Sequence, residues 1–470
     1  MSASATTAPT FFSHIREIIR QAWPVLVSSW ASIIFGVMDT AMSGHASAAD
    51  LQAMALAVSI YITVYIGLMG AIHALIPIIA QHFGGQRLLD VGRAWGQGVW
   101  LALGLSLVGT VVMLFPDAWL SLSGEVDPKV RDSITWYLRA LILALPASLI
   151  FRTIYALGTA VSRPKVVMTI NLLAVGIKFF FNWLFIFGKL GMPALGAAGA
   201  GLATAITAWL SLMAGLWAIR HDPYFRRFHL HLGRPCWSEQ KELLRLGIPM
   251  GGSYLIEIAA FSFMALLIAR EGMHVSGGHQ IMANLAALSY MMPMAIGVAT
   301  ASLTAQAIGA RDMHKARQTG RAGIVIVVTG ALLTAIVLVL GRPYIVRAYT
   351  DDLQVIIIAT ALLQALPWFH FFDAMQCIGS YLLRAYKVAV VPLLLQILAL
   401  TGVGLIGGWW VSFGPAAGLL QPLILRLIPS APIGAASMWV MSLSGLCLSA
   451  VLLLSWYRHV VLDYARRYTR

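Results

Sequence analysis

Long apolar runs separated by short polar connections make up most of this chain. An α-helix needs roughly 20 apolar residues to cross a hydrocarbon layer of about 30 Å, and runs of this length recur along nearly the whole sequence. The pattern therefore predicts an all-α integral membrane protein. We predict twelve transmembrane helices, at residues 22–43, 53–80, 93–115, 133–155, 165–187, 194–219, 247–269, 280–308, 322–346, 355–383, 388–411 and 432–457.

Three polar segments frame these helices: a lead at residues 1–21, a basic connection at residues 220–246 and a basic tail at residues 458–470. The connection divides an N-terminal six-helix lobe, residues 22–219, from a C-terminal six-helix lobe, residues 247–457. The lead contains no small-residue cleavage site, so we expect no removable signal peptide.

The two predicted lobes repeat part of their sequence. Ala144-Leu145-Pro146 recurs as Ala365-Leu366-Pro367. Phe151, Gly158 and Arg163 recur at the same offset as Phe372, Gly379 and Arg384. Because each half has an even number of helices, both halves begin on the same side of the membrane. We expect two six-helix bundles related by a pseudo-twofold axis along the membrane normal, enclosing a cleft that opens to one side and then the other.

Composition and charge narrow the class further. Hydrophobic residues make up 59% of the chain, charged residues only 11%, and the mean hydropathy is +0.82, which excludes an ordinary soluble protein. The net charge of +14 would suit nucleic-acid binding, but most Lys and Arg residues lie in alternate connections, beginning with the N-terminal lead. By the positive-inside rule, both termini are cytoplasmic and no nucleic-acid partner is expected.

The three cysteines are scattered along the chain, with neither metal-site nor redox spacing. We therefore expect no disulfide and no cofactor.

Ionisable side chains inside predicted helices are the main functional signal. Asp39, Arg152, Lys178, Glu257 and Asp373 all lie in such helices. A charged residue at the centre of a helix costs about 2.5–3.5 kcal/mol on insertion scales, so each marks a functional site by default.

Glu257 and Asp373 are the predicted coupling acids. A carboxyl group held out of water can take a proton near neutral pH, or bind a sodium ion instead. If a cationic compound and the ion need the same carboxylate, binding one displaces the other and exchange follows. The alternative is structural pairing of Lys178 with Asp39, or of Arg152 with Asp373, whose positions are equivalent in the repeat.

Side chains near these acids are candidates for a substrate cleft. Met adapts its shape and aromatic rings attract cations, as a cleft for varied flat compounds requires. His370, one turn from Asp373, is placed to share its proton. The cleft candidates are Tyr254, Phe261, Met291, Met292, Trp368, Phe371 and Gln376.

Several stretches, by their order and spacing, resemble the MATE (multidrug and toxic compound extrusion) family in its NorM-like bacterial branch. They are Pro24 to Gly44 with Asp39, Pro77 to Gln81, Asn182 to Gly201, Glu257, and Asp373 followed by Leu383 to Lys387.

The resemblance implies a secondary active antiporter of a bacterial inner membrane. Such a protein exports amphipathic, mostly cationic drugs or toxic metabolites in exchange for protons or sodium ions. It implies Asp39, Glu257 and Asp373 as membrane-embedded coupling acids, with Glu257 and Asp373 as candidate sodium ligands. We expect a monomer in the lipid bilayer.

Two features depart from the family pattern. Lys178 stands where relatives commonly carry an asparagine, four residues before Asn182. A tethered ammonium there would neutralise Asp39 and take the place of an ion, so we predict coupling to protons and not to sodium. The segment 412–432 is longer and more apolar than the family's last external connection.

Two other readings compete with an exporter. A flippase for lipid-linked sugars shares the fold class, but it would favour a strongly cationic cleft for pyrophosphate. An intramembrane enzyme would need paired aspartates, a Ser-His constellation or a zinc motif, and the sequence contains none at suitable spacing. We therefore predict that the protein is not an enzyme.

Overall fold

A computed structural model of the chain describes residues 10–115 and 128–468. Residues 1–9 of the predicted lead and the last two residues of the predicted tail lie outside this range. The described part is almost entirely helical.

Within residues 10–115 and 128–226, the first half of the chain forms eight helices. They are α1 (Phe11–Ala46), α2 (Ala48–Ile72), α3 (Leu75–Gly84), α4 (Leu88–Met113), α5 (Pro128–Ala160), α6 (Lys165–Ile186), α7 (Ala197–His221) and the short α8 (Pro223–Arg226).

The described second half runs from α9 to Tyr468, with a 3-10 turn, Ala269–Glu271, after α9 and a π-helical stretch, Ile397–Ile406, after α14. Its helices are α9 (Trp237–Ile268), α10 (Met273–Gly309), α11 (Met313–Tyr349), α12 (Leu353–Leu362), α13 (Leu366–Ala385), α14 (Val390–Gln396), α15 (Gly407–Ser412), α16 (Gln421–Leu427) and α17 (Ile433–Tyr468).

The prediction of an all-α membrane protein is confirmed. Within residues 10–115 and 128–468, eleven helical segments are long and apolar enough to cross a membrane, and α12 with α13 makes a twelfth as a bent pair. The predicted span 355–383 is wrong as a continuous helix, because the chain bends by 48° at residues 363–365. Pro367 follows in the first turn of α13, where its missing N–H is tolerated.

Two of the predicted polar segments are partly helical. The lead continues into the first span as one helix, because α1 starts at Phe11 and runs through Pro24. The basic connection becomes helical at Trp237, ten residues before the predicted span 247–269 begins. Hydropathy marks only the part of a helix that lies in lipid, so polar helical extensions escape it.

Two compact units account for most internal contacts. One, called here the N unit, comprises Pro24–Leu255; the other, the C unit, comprises residues 10–23 and the chain from Ile256 onward. Both boundaries fall inside helices, α1 and α9, and not in the connection. The first half of α9 therefore packs within the N unit, where Gly251 approaches the carbonyl oxygen of Gly67 so closely that a Cβ would lie 2.4 Å from it.

The connection between α7 and α9 is bound to the start of α4. Gln97 donates to the Arg234 carbonyl (2.8 Å) and accepts from the Cys236 backbone N–H (3.0 Å). A Cβ on Gly92 would lie 2.1 Å from the carbonyl oxygen of Phe228. The connection is thus a docked strap within the N unit.

Candidate functional site

The N unit contains a buried ion pair. Lys178 on α6 contacts both carboxylate oxygens of Asp39 on α1. Its Nζ lies 2.9 Å from Oδ1 and 3.0 Å from Oδ2. Lys178 also donates to the Thr204 hydroxyl on α7, and Asn182 donates to Asp39 Oδ1 at 2.7 Å. Because Lys178 and Asn182 are four residues apart on α6, both point from one face of that helix.

This pair is closed to the surroundings. Lys178 is 1% exposed, Asp39 7% and Asn182 0%. The three N–H groups of the ammonium match three acceptor atoms, the two Asp39 oxygens and the Thr204 hydroxyl. The pairing of Lys178 with Asp39 is confirmed, and the charge of Asp39 is balanced from within the chain.

The C unit contains a different arrangement, two acids joined by amides. Gln376 donates its Nε2 to Glu257 Oε1 at 3.1 Å and to Asp373 Oδ1 at 3.4 Å. Gln396 donates to the same Glu257 oxygen at 3.2 Å and to Gln376 Oε1 at 3.1 Å. The Tyr290 hydroxyl lies 3.5 Å from Glu257 Oε2.

Helix geometry brings these groups together. Asp373 and Gln376 are three residues apart and share one face of α13. Gln396 is the last residue of α14, directly before the π-helical stretch, a geometry that is frequent at functional sites. Gln396 is fully buried, and its Oε1 has no hydrogen-bond partner among the described residues. This oxygen is an acceptor beside Glu257 that is open to an incoming donor.

No cation in the C unit balances the two acids at contact distance. Within the described residues of that unit, no Lys or Arg nitrogen lies within 4.0 Å of Glu257 or Asp373. Two carboxylates that share one amide cannot both keep their charge cheaply in a buried place. The site can therefore take up a proton or a cationic group. The Asp39 site already contains a cationic group, the Lys178 ammonium.

Arg152, for which the sequence offered a pairing with Asp373, has a described partner in the N unit. Its Nε donates to the Tyr65 hydroxyl at 3.0 Å. His370 is buried, but the described residues show no hydrogen bond between it and Asp373, and its Nε2 is unpartnered. Asp373 Oδ1 accepts from Gln376 instead, so a shared proton between His370 and Asp373 stays a prediction.

The cleft candidates separate into several environments. Tyr254 lies in the N unit, with its hydroxyl 3.3 Å from His73 Nδ1, although it was chosen for its closeness in sequence to Glu257. Phe261 packs into the core of the C unit, 6.0 Å from Phe369 by ring centroids. Trp368 is 65% exposed.

The remaining candidates lie in the C unit. Met292 packs against Gly330 of α11, and the ring of Phe371 stands edge-on to that of Phe372. Met291 is half-buried. Of the seven cleft candidates, Gln376 is the one that the structure joins to the acids by a hydrogen bond.

Sequence reasoning missed three polar members of the two sites, Thr204, Tyr290 and Gln396. Gln396 carried a usable signal, because it is an amide in the middle of the apolar run 388–411. Thr204 and Tyr290 carried none, since hydroxyl-bearing residues are ordinary members of membrane helices.

Comparison with known proteins agrees with this arrangement. The MatE family model matches residues 24–184 and 249–410. The chain is 36% identical over 456 residues to a probable multidrug resistance protein NorM of Aromatoleum aromaticum, covering 96% of this chain and 95% of that protein. It is also 36% identical over 412 residues to a protein of the same name from Neisseria meningitidis serogroup B, covering 86% and 89%.

Solved structures share the fold. A eukaryotic MATE transporter, AtDTX14, superposes with a TM-score of 0.85 at 18% identity, covering 97% of this chain and 99% of that one. The Vibrio cholerae MATE transporter VcmN in its bent form superposes with a TM-score of 0.84 at 16% identity, covering 97% and 98%.

Proposed function

The chain belongs to the MatE family of membrane transporters, and we propose that it exports amphipathic, mostly cationic compounds in exchange for a cation bound at Glu257 and Asp373. It is a transporter and not an enzyme. Relatives that carry the name multidrug resistance protein support a range of small-molecule substrates.

The contrast between the two buried acid sites carries the proposal. Asp39 holds an internal ammonium, whereas Glu257 and Asp373 share the amide of Gln376 without a contacting Lys or Arg in the described C unit. A buried carboxylate needs a counter-charge or a proton. Arg384 is buried on the same helix as Asp373, and its charge acts electrostatically on Glu257. It forms no ion pair with either acid within 4.0 Å, so we infer that the contacting positive charge comes from outside the chain, as exchange requires.

Exchange follows when two positively charged species compete for the same acids. A cationic compound that binds near Glu257 and Asp373 favours the ionised acids and so expels the coupling ion. Uptake of the ion from the other side neutralises the acids and releases the compound. Alternating exposure of the acids to the two sides of the membrane completes the cycle.

We favour the proton as the coupling ion. Glu257 Oε1 already accepts two amide N–H groups, from Gln376 and Gln396, so positive N–H ends surround that oxygen. A sodium ion there would meet donors where it needs oxygen ligands, whereas a proton needs only one carboxylate oxygen. Glu257 Oε2, 3.5 Å from the Tyr290 hydroxyl, is free of amide donors and suits a proton.

The neutralising variants Glu257→Gln and Asp373→Asn test the site. Each should abolish export of a cationic dye, and therefore drug resistance of efflux-deficient cells, while the protein still reaches the membrane. The control is Asp132→Asn, which neutralises an exposed carboxylate at the start of α5 and should leave export unchanged. Wild-type export by both site variants would exclude these acids.

Proteoliposomes separate the two ions. With a pH gradient alone, the purified protein should accumulate a cationic dye, and with a sodium gradient alone it should not. Dye transport driven by sodium only would contradict proton coupling and leave the family assignment intact.

For location, we propose a bacterial inner membrane with both termini in the cytoplasm. The distribution of Lys and Arg over alternate connections supports this orientation. Fusion of alkaline phosphatase to the C-terminus should give an inactive enzyme, because that reporter is active only outside the cytoplasm.

A further inference from the structure

Arg152 is a cation inside the N unit that has only neutral described partners. It lies on α5, within the predicted span 133–155, and is half-buried. Its Nε donates to the Tyr65 hydroxyl at 3.0 Å. Its two Nη groups, with four N–H donors, make no hydrogen bond to any described residue.

Aromatic rings, and not carboxylates, surround this guanidinium. Its central carbon lies 5.9 Å from the centroid of the Tyr65 ring and 5.4 Å from that of Tyr155. Tyr61 stacks on Tyr65 at 5.4 Å, and His73 lies against Tyr155 at 5.6 Å. These rings come from α2 and α5 and from the turn after α2, so they form one aromatic wall around the charge.

The N unit offers Arg152 no described counter-charge. Asp39, the buried acid of that unit, is bound to Lys178. Among the other described carboxylates of the N unit, Asp90 lies beside Arg87, Asp222 caps α8, and Glu239 binds Arg93 at 2.6 Å. Asp132 and Glu242 are exposed at the starts of α5 and α9. An arginine at bilayer depth is costly and is kept where it binds something.

We propose that Arg152, with Tyr65 and Tyr155, forms a binding subsite for the anionic group of a flat aromatic amphiphile. The guanidinium is planar and its two Nη atoms lie side by side, so a carboxylate can accept two parallel N–H···O bonds from them. The aromatic part of the ligand then packs on the tyrosine rings. The inference rests on the export function proposed above and adds to it a place in the N unit where the anionic group of a substrate binds.

Tyr65 is the positioning residue of this subsite. By accepting from Nε, its hydroxyl fixes the plane of the guanidinium and leaves the Nη edge for a ligand. The change Arg152→Lys keeps the positive charge but removes the paired N–H donors of the guanidinium. It therefore shows whether the ligand needs two parallel hydrogen bonds or only a positive charge.

The test compares two dyes that differ only in the anionic group, a rhodamine with a free carboxylate and its methyl ester. Binding to the purified full chain is measured by fluorescence polarisation, in nanodiscs of neutral phosphatidylcholine. Arg152→Gln should weaken binding of the carboxylate dye about tenfold, the effect of losing one charge-assisted interaction, and leave binding of the ester unchanged. Arg152→Lys should fall between the two. Arg139→Gln is the matched control, because it removes an exposed arginine from the same helix.

Unchanged binding of the ester dye shows that Arg152→Gln is folded, so equal affinity of wild type and Arg152→Gln for the carboxylate dye would overturn the proposal. Like a carboxylate, the phosphate of a lipid headgroup offers anionic oxygens that can accept hydrogen bonds from a guanidinium. The titration is therefore repeated with anionic phosphatidylglycerol in the nanodiscs. If the wild type still prefers the carboxylate dye to the ester in these nanodiscs, the result supports a site for transported compounds. If the preference is lost, the site binds a lipid headgroup and the proposal is overturned. Binding needs no ion gradient, so a protein that binds both dyes but exports neither would contradict the proposed function alone.

Discussion

Lys178 illustrates how a single residue changes the chemistry of a buried site. Its ammonium fills the acceptors around Asp39, so the pair is neutral and closed. The sequence revealed this pair, because two opposite charges in membrane helices stand out against an apolar background. It did not reveal Thr204 as a member of the same network, since a hydroxyl partner depends on which helix faces meet.

We expect Lys178→Met to destabilise the protein by about 3–5 kcal/mol, because it leaves Asp39 buried without its partner. Thermal unfolding in detergent should show a lower melting temperature than for Lys189→Met, which removes an exposed lysine just beyond α6. The double variant with Asp39→Asn should recover most of the loss. Equal melting temperatures for the two single variants would show that the ion pair contributes nothing.

Gln376 is the residue on which the other site depends. Its Nε2 binds both Glu257 and Asp373, so the change Gln376→Leu removes the shared donor while keeping a similar volume. We expect cation-driven dye export to fall at least tenfold, since a charge-assisted hydrogen bond contributes about 1.5–3 kcal/mol. Ser444→Ala, at an exposed position of α17, is the control. Unchanged export by Gln376→Leu would mean that the acids act independently.

At the scale of helices, the apolar pattern located every span but not its polar extensions or interruptions. Residues 11–21 and 237–246 are helical, although their polar composition placed them in the predicted lead and the predicted connection. Hydropathy does not predict the bend at residues 363–365 or the π-helical stretch Ile397–Ile406, because both depend on tertiary packing. Pro367 gave a usable hint, because a proline inside an apolar run marks a break in a helix.

The strap between α7 and α9 yields a prediction at the same scale. A methyl group on Gly92 would lie 2.1 Å from the Phe228 carbonyl oxygen, which the strap can relieve only by moving. We expect Gly92→Ala to destabilise the N unit by about 1–3 kcal/mol, as overpacking does.

Gly104→Ala is the matched control for that change, because it lies on the same helix, α4, and a Cβ there meets nothing within 4 Å. In thermal unfolding it should be neutral or stabilising, since alanine favours a helix over glycine by about 0.5–1 kcal/mol. Similar melting temperatures for the two variants would show that the strap is loosely held.

At the scale of the whole molecule, two similar halves carry different chemistry. The repeat in the sequence predicted two halves, and the equivalent positions 152 and 373 are occupied by an arginine among tyrosines and an acid among amides. That difference could be read from residue identity alone. The partners that give each position its role could not, because Tyr65 reaches Arg152 from α2, and Glu257 of α9 is joined to Asp373 only through the Gln376 amide.

The central claim is that the C unit binds the coupling proton and the N unit does not. Proton release on dye binding tests it most directly, by isothermal titration of the purified protein with a cationic dye in buffers of different ionisation enthalpy. We predict release of about one proton per dye for wild type and for the double variant Asp39→Asn/Lys178→Met, and none for Glu257→Gln/Asp373→Asn. Release that persists in the C-unit variant, or that disappears in the N-unit variant, would contradict the account.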